Sequence, residues 1–296
     1  MIKDEEQTTP SRMCRLLHIS RSEYYRNIKG LKDYIPRQRG ASEKASNTFV
    51  ERAVALAGEH WCYGHRKIHA LLLREGFHAS RYQVYRLLKR ENLCLASTWR
   101  QDLRERSKAL KEYLVKPQKP LELLQADITH IPIEGYGTYY VIDVIDYHTK
   151  YVLASIFSDR HGTDDLIRGC EEACMEAKRL GLVLPTDGDK IKLLTDNGPA
   201  MISRHFRQYI GSSPFRHLRT KNHHPQTNGC IERYHQTLKY EEVWGAMYEN
   251  PMIAKERIDA FRKYYNEQRI HQALGYKTPM EMIQEYKTQI TYQQAV

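Results

Sequence analysis

Three acids stand where chemistry, rather than solubility, would call for them. Asp127 falls inside Leu124-Gln-Ala-Asp-Ile-Thr-His130, a run predicted to be a strand, where an unpaired carboxylate facing a core is costly. Asp196 closes the short apolar run Leu193-Leu194-Thr195 and is followed by Asn197-Gly198-Pro199, residues that let the backbone turn away sharply and leave the acid at an open strand end. Glu232 lies in Asn228-Gly-Cys-Ile-Glu-Arg-Tyr-His-Gln-Thr-Leu-Lys239, early in a helix predicted to start near Thr227 or Asn228. Two strand positions and one helix position can converge, and three hard oxygen ligands suit Mg²⁺ or Mn²⁺. Two such ions roughly 3.5–4 Å apart activate one oxygen and stabilise the departing one in phosphodiester chemistry. Singly, a strand-end Asp is more often a turn cap and a helical Glu is usually solvated; only the set points to a site.

Basic residues gather around these acids. Lys239 sits seven residues after Glu232, two helical turns along the same face, and Arg233 adjoins that acid. His235 and Gln236 share the face as weaker candidates. Arg204, Arg207, Arg216, Arg219 and Lys221, with His223 and His224, concentrate positive charge just before the acidic helix, where it can guide a phosphate backbone. A surface that is merely solvated is the competing reading for each.

The elements that must position these residues divide into two parts. From Thr138-Tyr-Tyr-Val-Ile-Asp-Val144 and Tyr151-Val-Leu-Ala-Ser-Ile-Phe157 a hairpin is predicted, with 123–133 as the strand pairing with it. An amphipathic helix follows at 165–180, ended by Gly181, then a short buried strand at 191–194 and long helices from about 227 onward. That order describes a mixed α/β domain. Upstream the pattern is helical. Residues 11–26 read as a helix, a tight turn and a second helix, a helix-turn-helix or simple packing pair. A further helix runs to about Arg74 with Gly76 as its cap; another starts at Ser80, with Val84, Leu87 and Leu88 on one face and Arg81, Gln83, Arg86, Lys89 and Arg90 on the other. Such a helix suits a groove or a phosphate track. The expected division is a helix-turn-helix segment at 1–40, a helical DNA-binding domain at 41–98, a charged linker at 99–120, the catalytic domain with its C-terminal helices at 121–288, and a tail at 289–296.

The net charge of +10 is uneven. Residues 1–118 hold 24 Lys and Arg against 13 Asp and Glu, whereas the remainder is nearly balanced, so the first part is suited to a polyanion, of which nucleic acid is the commonest. Six cysteines spread over 296 residues without a secretory leader read as reduced thiols, and no apolar run of about 18 residues is present. The expectation is a cytoplasmic, nucleoid-associated protein that engages no membrane. His60, Cys62, His65 and His69 lie close in sequence, but no second ligand pair at finger spacing follows, and Cys170 and Cys174 on one helix read as packing.

The chain resembles transposases of the IS3 insertion-sequence family, of the downstream-frame or fused type, which belong to the DDE group together with retroviral integrases. Asp127-Ile-Thr looks like that family's first acid motif, Thr195-Asp-Asn-Gly like its second, and His224-Pro-Gln-Thr-Asn-Gly-Cys-Ile-Glu-Arg233 like its third. Asp196 and Glu232 are separated by 35 residues, the family spacing. Tyr265-Asn-Glu-Gln-Arg-Ile-His-Gln-Ala-Leu-Gly-Tyr-Lys-Thr-Pro279 is similar to the family's C-terminal signature, which brings in Asn266, Arg269 and His271 either as DNA contacts or as packing and capping residues. The resemblance implies a ribonuclease H-like catalytic domain behind all-α DNA-binding segments. Asp127, Asp196 and Glu232 would be its catalytic metal ligands, with two Mg²⁺ or Mn²⁺ ions per site, and Lys239 a contact to terminal DNA. It further implies cleavage at element ends to give a 3′-hydroxyl, strand transfer through a figure-eight and circle, and integration, carried out by a homo-oligomer, a dimer on double-stranded DNA. The sequence starts near where the family's downstream reading frame starts, so the upstream helix-turn-helix and coiled coil that fused members carry are not expected here. Two other classes compete. A covalent tyrosine nucleophile lacks its supporting histidine or arginine set, and a DNA-binding regulator without activity would not need all three acids at that spacing.

Overall fold

The computed structural model describes residues 47–94, 117–185, 189–220 and 228–294. The segment at 11–26, most of the 99–120 linker, and Lys221, His223 and His224 lie outside the described residues.

The first described elements are helices α1 (Asn47–Glu59), α2 (His65–Arg74) and α3 (Arg81–Arg90). Helix α2 stops at Gly76, which takes the left-handed conformation at φ +85 that a side chain disfavours. Helix α3 opens with a full capping box: Gln83 N–H donates to Ser80 Oγ at 3.2 Å and Ser80 N–H donates to Gln83 Oε1 at 2.7 Å. Ile68 and Leu72 of α2 meet Val84, Leu87 and Leu88 of α3 as the buried stripe. Arg81, Arg86, Lys89 and Arg90 are left on the exposed face, with Arg90 paired to Glu91 at 2.8 Å.

A five-stranded sheet follows, built from β1 (Leu123–Ile133), β2 (Gly137–Asp146), β3 (Val152–Ser158), β4 (Ile191–Thr195) and β5 (Phe215–Arg219) in the order β3-β2-β1-β4-β5. The first three strands form an antiparallel meander, and β4 and β5 add in parallel to β1. This is the mixed sheet of a ribonuclease H-like fold. Between them run α4 (Thr163–Arg179), α5 (Pro199–Ile202) and α6 (Arg204–Ser212); α7 (Gly229–Leu238), a π-helical turn (Lys239–Val243), α8 (Pro251–Glu267) and α9 (Pro279–Gln294) complete the chain.

The sheet separates two cores. On one face Leu124, Ala126, Ile142, Val144 and Leu153 pack against Leu166, Cys170, Ala173 and Ala177 of α4. On the other Ile131, Ile133, Val141, Ile145 and Val152 pack against Ile231, Tyr234 and Leu238 of α7 and Ala254, Ile258, Phe261 and Tyr265 of α8. Strand alternation sends even-numbered residues of β1 to the first face and odd-numbered ones to the second. The free edge at β3 is closed at its start by α8. Asn266 Oδ1 accepts from Val152 N–H at 2.9 Å, its Nδ2 donates to Val152 O at 3.0 Å, and Arg262 donates to the carbonyls of Val152 and Leu153.

Candidate active site

Asp127 and Asp196 arrive at one place through strand register. Gln125 of β1 is level with Leu194 of β4 in the parallel pair, so two residues further each strand presents its acid, on the sheet face that α7 covers. Asp196 is exposed at the carboxyl end of β4, where open α/β sheets place their binding crevices. Its Oδ1 accepts from Gly198 N–H at 2.9 Å, and Asn197 Nδ2 donates to Thr220 O at 2.9 Å, tying the turn to the end of β5. A Cβ at Gly198 would stand 3.1 Å from Asp196 Oδ1 and 3.2 Å from Met201 Sδ, so the glycine lets the chain fold back against the acid.

Helix α7 brings the third acid. Its first turn is fastened to β1 by Gln125, whose buried Oε1 accepts from Ile231 N–H at 3.0 Å, one residue before the exposed Glu232. One turn later His235, buried, sits over the sheet with Nδ1 at 3.4 Å from Asp127 Oδ2 and Nε2 at 2.9 Å from Asp143 Oδ2. Burial by itself would depress this imidazole, but hydrogen bonds to Asp127 and Asp143 and their charges overrule it and hold it up to about 9. Asp127 and Asp196 thus lie two residues beyond paired positions of neighbouring strands, and Glu232 follows the residue of α7 that Gln125 holds. Their oxygens suit a hard divalent cation, yet no group of three acidic, histidine or cysteine side chains among the described residues is placed to hold an ion. Asp196 is turned onto its own backbone and Asp127 onto His235.

The basic residues sort by exposure. Arg204, Arg207, Arg216, Arg219 and Arg233 are exposed, and Lys239 lies half-buried at the junction of α7 and the π-helical turn. Arg269, read as a DNA contact or as packing, is paired within the protein. Its guanidinium is buried and forks onto Glu241, Nε to Oε2 at 2.8 Å and Nη2 to Oε1 at 2.6 Å, so it knits the π-helical turn to the segment after α8. Asn266 is likewise spent on β3, and His271 packs edge-on against Tyr265. His60 stacks on Tyr63, His65 meets Tyr85 edge-on, and His69 Nε2 lies 2.8 Å from Ala79 O. Cys170 is core and Cys174 packs against it.

Two residues of this site escaped the sequence reading. Asp143 was part of an apolar strand run, and its only mark was an acid at a position whose neighbours two away, Val141 and Ile145, face the core. Gln125 carried no signal beyond being polar within a strand.

Comparison with known proteins agrees with this architecture. Two models described as an integrase core domain match residues 117–225 and 214–279, together more than half of the chain, and an HTH-like domain model matches 46–101. A 31.7 kDa protein of insertion element IS407 from Burkholderia multivorans is 26% identical over 97% of this chain and 94% of its own length. The InsD transposase of insertion element IS2D from Escherichia coli K12 is 22% identical, covering 93% of this chain and 91% of its own. Among solved structures, the HTLV-2 integrase catalytic core domain covers 56% of this chain and 98% of its own at 18% identity, with a TM-score of 0.41. The fold and matches define an integrase-core protein preceded by a helical HTH-like domain. The chain belongs to the integrase-core family, among the DDE-type transposases of insertion sequences.

Proposed function

We propose that this chain cuts and joins DNA at the ends of an insertion sequence of the IS3 type, with Asp127, Asp196 and Glu232 as the ligands of the catalytic cations. The observation that carries the reading is the common address of the acids: two level strand positions on adjacent parallel strands, and a helix start fastened to the first of them by Gln125. Bound there, a pair of Mg²⁺ or Mn²⁺ ions would supply activation of the attacking oxygen and neutralisation of charge on the leaving oxygen. The protein's part is placement. Asp196 is presented by an exposed turn, Glu232 is carried by a pinned helix, and Lys239, two turns along the same face, meets phosphate or base near the cut.

DNA is engaged on two surfaces in this reading. Arg81, Arg86, Lys89 and Arg90 on the exposed face of α3 follow the backbone or groove, and Arg216, Arg219 and Arg233 line the approach to the acids, with Lys221 a further phosphate contact close to Arg219 in sequence. Water attacks the phosphodiester at an element end and frees a 3′-hydroxyl; that hydroxyl attacks a second strand, by way of a figure-eight and a circle. Holding two ends together calls for a dimer of this chain on DNA. The reaction belongs to nucleoid DNA in the cytoplasm; among the described residues no helix is long and apolar enough to cross a membrane.

The test is incubation with labelled DNA carrying candidate terminal inverted repeats and Mg²⁺. A nick leaving a 3′-hydroxyl, absent with Asp196→Asn while DNA binding persists, is the expected result. Undiminished nicking by that variant, or a covalent protein–DNA adduct, would refute the assignment.

A further inference from the structure

Asp143 has no role in the chemistry above, yet it is a completely buried carboxylate in the middle of a central strand. Among the described residues its Oδ1 has no hydrogen-bond partner. A buried charge left partly unsatisfied is a cost that a fold keeps for a reason. The β1–β2 register puts Asp143 directly opposite Asp127 on the same face, and like charges so placed repel. His235 lies between them with one ring nitrogen toward each, 2.9 Å from Asp143 and 3.4 Å from Asp127. The ring thus joins the two carboxylates, with the shorter contact made to Asp143.

The second carboxylate changes what that ring does. With Asp143 behind it the ring is held from the far side, and what reaches Asp127 is a directional contact to Oδ2. His235 is also one turn from Glu232 on α7, so one helix carries a ligand and the brace for another ligand.

We propose that His235, braced by Asp143, is a positioning residue that fixes the Asp127 carboxylate for the cation and ties its orientation to the helix carrying Glu232. The proposal rests on the reading of Asp127, Asp196 and Glu232 as metal ligands, and its test separates the two. Free Mn²⁺ is followed by electron paramagnetic resonance while the full chain, without DNA and at one pH, is titrated with the ion. Asp196→Asn tests the ligand reading: binding equal to the unaltered chain overturns it. His235→Gln and Asp143→Asn test the brace. Each is expected to weaken Mn²⁺ binding about 10- to 100-fold, the usual effect of removing a group that orients a ligand. The double variant should bind no worse than the weaker single one, because the two act as a unit. On DNA the defect should lie in the Mn²⁺ concentration required, with the saturated rate largely restored. Single variants within twofold of the unaltered chain, or losses that multiply in the double variant, overturn the brace alone. Should the replacements unfold the chain, ¹⁵N-histidine spectra decide: Asp127→Asn must shift the resonances of one histidine ring, that of His235, and a spectrum without that response rejects the proposal.

Discussion

The same two strands build two unlike surfaces. Toward α4, β1 and β2 offer Ala126 opposite Val144 and Ile128 opposite Ile142, hydrocarbon against hydrocarbon, and Gly169 of α4 faces them where an added Cβ would stand 3.6 Å from Ile156 and 3.7 Å from Ile142. Toward α7 the alternate residues of the same strands put Gln125 and Asp127 beside Ile145 and Asp143, and the helix that covers them answers with a backbone N–H and a histidine. A strand's period of two allows this division at no cost in length: one parity is committed to cohesion, the other, at the site end, to charge. The apolar face can therefore stabilise the sheet firmly while the polar face carries groups that reduce stability. Function and cohesion are one residue apart in sequence and on opposite sides of the sheet.

That division can be broken in graded ways. The largest effect is expected on the polar face without loss of stability: Glu232→Gln should lower DNA cleavage roughly a hundredfold or more, as removal of a transition-state stabilising group does, while the melting temperature stays in place. On the apolar face the pattern inverts. Leu124→Ala, which empties a fully buried position, should cost about 2–5 kcal/mol in denaturant titrations and leave cleavage per folded molecule near normal. Loss of activity beyond the unfolded fraction would show that the faces are coupled. Gln125→Leu sits between these cases. It strands the amide of Ile231 and should cost about 1–3 kcal/mol, with cleavage lowered as well because the helix start carrying Glu232 is released. The smallest effect is a gain. A Cβ at Gly169 meets only ordinary contacts at 3.6–3.8 Å, so Gly169→Ala should raise stability by about 0.4–1 kcal/mol, and a loss instead would mean that the interface with α4 is tighter than its spacing.

How much of this was legible from the sequence depends on how far apart the partners lie. The strand at 123–133 was read with the bounds that the structure gives, and the Ser80 start of α3 proved to be a capping box, because alternation and capping are local patterns. The acids stood out through a strand interior, a strand end and a helix start. Asp143 did not, because its partner His235 is 92 residues away and nothing local distinguishes an acid beneath a helix from one at a turn. Arg269 stayed open between two readings for the same reason. Its position in the C-terminal signature allows a contact outward or packing, and its partner Glu241 lies 28 residues earlier. Pairings that close only in three dimensions are the part a linear pattern leaves open.

The plugging of β3 by Asn266 and Arg262 restricts how copies of this chain can meet. A strand approaching that margin finds the amide and carbonyl of Val152 and the carbonyl of Leu153 already occupied, so continuation of one sheet into another is blocked where the strand begins. A second copy could add a strand at that margin only by first displacing the side chains of α8 that hold it.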